Sequence, residues 1–202
     1  MRADALAFYA RMHWAVESML ESAAFEGLKW TSLQPNAFAS VWLGGAAGWV
    51  QVAKEKGQDA AGLLKMPADE EARCAPVDSE EVGALAGTLL LLPEGEVEKY
   101  SRRKLVINGP EDITGKEIRE IVEEALGEKV KEVGYRNMDW IEDYHIPEKF
   151  GGTRSVVLSM RHAVQICWDE KCMAEHTSQE VRELAMPKRG AKMVLREMAL
   201  RI

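Results

Sequence analysis

Tyr9-Ala-Arg-Met-His13-Trp-Ala-Val-Glu17, followed by Gly27-Leu-Lys-Trp-Thr-Ser-Leu-Gln-Pro35-Asn36-Ala-Phe38, decides how this chain is read. Ala5, Tyr9, Met12, Val16 and Met19 recur at spacings of three and four on one stripe, which predicts a helix over 3–23. His13, Glu17 and Leu20 fall on the adjoining stripe. Leu28 to Leu33 carries Trp and Thr between Gly27 and Pro35, the pattern of a short strand. A helix over about 41–54 comes next, weakened by Gly44, Gly45 and Gly48.

Further along, residues 57–76 are mixed and turn-rich and read as a surface excursion. Asp78 opens a helix with Glu81 at capping-box spacing and Val82, Leu85, Ala86 and Leu89 on one face. Leu105-Val-Ile107 is a strand stopped by Asn108-Gly109-Pro110. Thr114 and Glu117 form the capping box of a helix that buries Ile118, Ile121, Val122 and Ala125 and ends at Gly127. Lys129 to Tyr135 reads as another short strand, and Ser155 to Trp168 as a helix. Ser178 caps a helix over 179–186 that Pro187 terminates, and a last helix after Gly190 contains Val194, Leu195 and Met198.

The totals narrow the function classes. With 202 residues, 47% hydrophobic and 29% charged, the chain has room for one good core and no bias towards disorder. A net charge of −7 and only two short basic clusters, Arg102-Arg103-Lys104 and Lys188-Arg189, leave no nucleic-acid footprint. Cys74, Cys167 and Cys172 make no disulfide framework, which fits a reducing, cytoplasmic compartment, and Met1-Arg-Ala-Asp4 has no apolar signal region. Trp30 to Ala53 carries no charge and is long enough for a membrane span, but Gln34, Pro35, Asn36, Ser40 and three glycines favour a strand, a loop and a helix.

The opening block resembles, in order and spacing, extended short-chain dehydrogenases. There a helix with Tyr-x-x-x-Lys and a Glu four residues on leads into a buried strand ending near Arg-Pro-Gly or Gln-Pro-Asn; here His13 stands where the Lys would be. Two further blocks narrow the likeness. Pro76-Val-Asp78 with Glu81-Val-Gly-Ala-Leu-Ala86, and Val106-Ile-Asn-Gly-Pro-Glu-Asp-Ile-Thr114 with Gly127 and Val130, are similar to segments of the NmrA-like branch of the atypical short-chain dehydrogenases. The blocks span about residues 9–140, and the tail through Trp168, Cys172, Thr177-Ser178 and Pro187 is similar to members common in filamentous fungi.

The resemblance implies an α/β chain with a partial Rossmann-like (NmrA-like) fold lacking the first strands. Residues 1–100 would be the later part of the NAD(P)-binding domain, and 101–202 a small, mostly helical substrate or partner lobe. The family's helix follows about five βα units, whereas eight residues precede Tyr9 here. The family's Gly-x-x-Gly-x-x-Gly turn, which lets backbone amides approach a pyrophosphate, has no counterpart; Gly44-Gly45-x-x-Gly48 is the nearest run and has no acidic ribose ligand about 20 residues on. The implied cofactor is NADP or NAD, with usual binding not expected of this chain alone.

By resemblance, Tyr9 occupies the position of a carbonyl-protonating acid whose pKa a Lys would lower. His13 with Glu17 as the acid holding its proton could form a relay; alternatively Tyr9 packs in the core and His13 pairs with Glu17 structurally. Pro35, Asn36 and Phe38 follow the strand end that by resemblance faces nicotinamide and substrate, although Pro-Asn is also ordinary turn chemistry. His162, Cys167, Cys172 and His176 are capable zinc ligands at spacings that do not match a structural knuckle, so core packing is the better account. The readings that follow are a truncated, catalytically compromised protein related by resemblance to NAD(P)H-dependent reductases of small organic substrates, or a non-enzymatic redox-sensing or partner-binding regulator that associates with a second copy or a companion chain through an open strand edge and tryptophans near the absent half.

Overall fold

The computed structural model describes residues 3–142 and 154–200, with the side chain of Leu200 outside the description. Helix α1 (Phe8–Glu21) leads to strand β1 (Thr31–Pro35) and the long helix α2 (Ala39–Lys56). A short helix α3 (Gln58–Ala61) and strand β2 (Leu64–Lys65) follow, then α4 (Ser79–Leu90) and α5 (Glu94–Val97). Strand β3 (Arg103–Ile107), α6 (Gly115–Leu126) and β4 (Val133–Gly134) come next, and the remainder is helical: α7 (Arg154–Leu158), α8 (Gln165–Trp168), α9 (Gln179–Ala185) and α10 (Ala191–Leu200).

Two parallel strand pairs carry the α/β character. β1 runs beside β3 with Thr31 opposite Arg103 and Pro35 opposite Ile107, and β2 runs beside β4. Among the described residues no strand lies on the far side of β1, while β3's outer side is covered where Ser178 N–H donates to Val106 O at 3.0 Å and Val106 N–H to Ser178 Oγ at 2.9 Å. That bond explains why Ser178 makes no side-chain cap at α9, as its position would predict. Pairing of β1 with β3 carries backbone hydrogen bonds across the expected boundary at 100/101.

The β1–β3 sheet has two unlike faces. Leu33, Leu105 and Ile107 pack with Val77, Leu85, Leu89 and Val181 on the side of α4 and α9. The alternate residues Ser32, Gln34 and Lys104 turn to the α1 side. A second, larger core gathers Trp42, Leu43, Ala46, Trp49 and Val50 of α2 against Ile118, Ile121 and Val122 of α6 and Val194 and Leu195 of α10.

Local signals hold where they close locally. Thr114 and Glu117 make both halves of the capping box, and Gly127 ends α6 with φ of 76°. Asp78 caps α4 through Glu80 N–H rather than with Glu81, whose carboxylate instead accepts from the amides of Lys188 and Arg189.

The stripe of α1 is exposed, Met12 and Met19 each at 50% and Val16 at 48%, because nothing among the described residues covers that face. Two expectations are corrected. Residues 57–76 are not a surface excursion, since Leu64, Met66, Ala68, Cys74 and Ala75 are all core, tied by the β2–β4 pair and by Ala75 N–H to Cys172 O at 2.8 Å. The expected helix over 155–168 is broken into α7, a 3-10 turn at Ser159–His162 and α8. No helix among the described residues is long and apolar enough to cross a membrane.

Candidate functional site

The carboxyl end of β1 opens into a cleft of about 480 Å³. It is lined by Tyr9 and His13 of α1, by Gln34, Pro35, Asn36 and Phe38 at the end of β1, and by Met138, Trp140 and Met160. Strand polarity sets this position: β1 ends at Pro35, the last β1–β3 bond runs from Asn36 N–H to Ile107 O at 3.2 Å, and α2 begins at Ala39 with Phe38 at its N-cap. The turn is pinned by Ala39 N–H to Val77 O at 2.9 Å and Val77 N–H to Ala37 O at 2.8 Å.

Four of the sequence-expected site residues thus come together with Phe38, and one does not. Glu17 lies outside the cleft, 4% exposed, one turn beyond His13 along α1. Its Oε1 accepts from Ser32 Oγ at 2.5 Å and Gln34 Nε2 at 2.7 Å, and its Oε2 is 3.4 Å from Lys104 Nζ, which also reaches Glu21 at 2.8 Å. These partners take both carboxylate oxygens, so neither the His13–Glu17 relay contact nor a structural His13–Glu17 pair is formed. Burial alone would push the Glu17 carboxyl up; the bonds from Ser32 and Gln34 and the Lys104 charge outweigh it and hold the group below its ordinary range.

Tyr9 and His13 meet ring edge to ring face at 6.0 Å. Burial of its hydroxyl end, and secondarily the sulphurs of Cys167 and Cys172, raise the Tyr9 pKa, although 39% of the residue is exposed. That direction is opposite to the lowering a neighbouring Lys would give, so Tyr9 is a protonated hydroxyl at neutral pH, a hydrogen-bond donor rather than a base. Asn36 Nδ2 donates to Asn108 Oδ1 at 2.8 Å, joining the ends of β1 and β3.

The remaining candidates resolve by packing. Cys74, Cys167 and Cys172 are free thiols buried together, and His176 lies at the surface 3.9 Å from Glu175. Among the described residues no group of three or more His, Cys, Asp and Glu side chains is placed to hold a metal ion. Gly44, Gly45 and Gly48 fall inside α2, where a side chain on Gly45 would touch Lys65 O at 3.4 Å. They lie within a helix rather than in the turn before it, and the β1–α2 turn Pro35-Asn36-Ala37-Phe38 has no glycine, so the described residues do not fit a dinucleotide pyrophosphate.

Sequence reading missed Gln34 and Ser32, which period-2 alternation from Asn36 would have placed on the Glu17 side. It also missed Met138, Trp140 and Met160, which reach the cleft only through tertiary packing.

No family model matches this sequence, and no curated protein matches it. Solved structures do. A nucleoside-diphosphate-sugar epimerase from Staphylococcus aureus aligns over 97% of this chain with a TM-score of 0.58 and 14% identity. An NADPH-dependent quinone oxidoreductase from Escherichia coli, solved with NADPH, aligns over 96% with a TM-score of 0.66 and 14% identity. The triphenylmethane reductase of Citrobacter sp., solved with NADP(H), aligns over 95% with a TM-score of 0.56 and 15% identity. The fold is a partial Rossmann-like α/β fold. The chain spans 61%, 61% and 57% of those three structures, in the order given.

Proposed function

We propose that this chain is an NmrA-like, oxidoreductase-related protein that keeps the substrate end of its fold and is catalytically compromised on its own. The observation that carries the reading is the cleft at the carboxyl end of β1, where a protonated Tyr9 faces walls of Phe38, Trp140, Met138 and Met160. Ligands of open α/β sheets sit outside carboxyl strand ends. Aromatic and thioether walls favour a flat organic molecule, and the Tyr9 hydroxyl would donate to its oxygen, with His13 at the rim able to donate or accept. NADP or NAD is the cofactor the likeness to reductases suggests, and when bound a nicotinamide supplies hydride. Pro35, Asn36 and Phe38 would lie at its nicotinamide end, while the described residues offer no pyrophosphate cradle.

A second reading, association with another chain, is favoured by the exposed apolar face of α1 beside the free edge of β1. Calorimetry of the chain with NADPH, and titration of its tryptophan fluorescence with 1,4-naphthoquinone, test the main reading. Saturable quenching by the quinone with no micromolar NADPH binding is expected. Micromolar NADPH affinity would overturn the compromised state, and absence of quinone binding would overturn the cleft assignment.

A further inference from the structure

The geometry points to Gln34 as the specificity-determining acceptor of this cleft, oriented by Glu17 so that its amide oxygen selects aromatic ligands bearing a hydroxyl or N–H donor. The inference rests on the cleft reading above and deepens it. Gln34 is one of the few polar groups lining a cleft otherwise walled by aromatic, aliphatic and thioether side chains. An amide can present either end, and its orientation follows from its hydrogen-bond partners. Here the partner leaves no choice: Glu17 Oε1, 2.7 Å away, belongs to a carboxylate that only accepts, so the end against it is the NH2. Ser32 Oγ at 2.5 Å and Lys104 Nζ at 3.4 Å hold that carboxylate in its charged form.

The other end, Gln34 Oε1, receives no hydrogen bond among the described residues, and it is not among the buried polar atoms sealed without a partner. An oxygen that is neither bonded nor sealed, on a side chain lining the cleft, is available to a ligand. Buried polar groups left open are costly unless something completes them. A phenolic or enolic hydroxyl fits this site, because its hydrogen can go to Gln34 Oε1 while its oxygen accepts from the Tyr9 hydroxyl. A ligand of the same ring size with an ether in that place leaves Gln34 Oε1 desolvated and unpaired.

The test compares 2-naphthol with 2-methoxynaphthalene by calorimetry on the full chain. The two share their ring and differ in the O–H donor. The naphthol is expected to bind roughly tenfold more tightly, the worth of one buried hydrogen bond. In Gln34→Met, which keeps the length of the side chain, the preference should fall to about twofold or less, with the ether bound at least as tightly as by the wild-type chain because no amide oxygen is left to desolvate. Glu17→Gln provides an independent variant: with the carboxylate gone the Gln34 amide is free to turn, and the preference should drop several-fold without loss of ether binding. Equal binding of both probes to the wild-type chain, or a preference that survives both substitutions, would overturn the role of Gln34 while leaving the cleft standing. Binding of neither probe would overturn both.

Discussion

Gln34 Nε2 donates to Glu17 Oε1 at 2.7 Å, which places a buried carboxylate of α1 on the face of β1 that a parallel sheet ordinarily fills with apolar side chains. Glu17 is the sole buried residue of α1, so the helix is attached to the sheet by this polar cluster rather than by its apolar stripe. Removing the carboxylate leaves Ser32, Gln34 and Lys104 with donors and no common acceptor. Glu17→Ala is therefore expected to destabilise the fold by about 2–4 kcal/mol, read by urea unfolding. Glu21→Ala is the control: it removes only the exposed Lys104 contact and should cost less than about 1 kcal/mol.

The same cluster gives stability an acid limb. Glu17 has a folded pKa below its ordinary value of 4.5, so the unfolded chain takes up its proton first as pH falls. Its contribution is fully present above about pH 4.5 and is lost as pH drops through the folded value. Glu117 in the α6 capping box behaves in the same sense: burial pushes it up, but Lys192 and the Thr114 amide more than offset that. Urea midpoints measured from pH 6 to pH 3 should fall less steeply below pH 4.5 in Glu17→Gln than in the wild-type chain.

Met12, Val16 and Met19 show how far the sequence could be read. Their spacing identifies a helix, and α1 is there, but periodicity cannot say whether anything lies against the stripe. Thr114 with Glu117, and Asn108-Gly109-Pro110 after β3, are legible because the partners sit within a few residues. Residues 64–68 look like loop because their partners, Val133 and Gly134, are far along the chain. In the site, Tyr9, His13, Pro35, Asn36 and Phe38 were legible as a local succession; Glu17's true partner Lys104 and the wall from Trp140 and Met160 depend on contacts that no local pattern encodes.

That exposed stripe has a consequence in solution. Replacing Met12, Val16 and Met19 together by Gln removes apolar surface that the fold does not use, so each change should alter stability by about 0.5 kcal/mol or less. Sedimentation velocity should show concentration-dependent association of the wild-type chain that the triple variant loses. A triple variant that is strongly destabilised or no longer unfolds cooperatively would instead mean that the face is packed within the fold.

Gly109 is held by close backbone approach. Its amide donates to Ala75 O at 2.8 Å, and a Cβ there would collide with Pro76 O, a backbone atom that cannot swing aside. Gly109→Ala is expected to cost about 1–3 kcal/mol. Gly27→Ala meets nothing within 4 Å and should be near neutral or slightly stabilising. Thermal unfolding of the two variants side by side checks the contrast.

The three cysteines answer the zinc alternative by reactivity. Cys74 is 1% exposed, Cys167 4% and Cys172 0%, and Cys74 is tied to Ile113 by a backbone bridge at one edge of the core. The hydrogen bond from Cys172 favours the Cys167 thiolate, yet adjacent Cys74 and burial outweigh it and push the Cys167 thiol up. Cys172 is pushed up by its bond to Cys167 and by burial. Thiols buried out of reach react neither with metal ions nor with disulfide reagents until the core opens. Ellman titration at pH 8 should therefore find fewer than about one reactive thiol in the native chain and all three in urea. The native rate should follow the global unfolding equilibrium across a denaturant series, and rapid labelling of Cys167 in the folded chain would show that the cleft wall opens without unfolding.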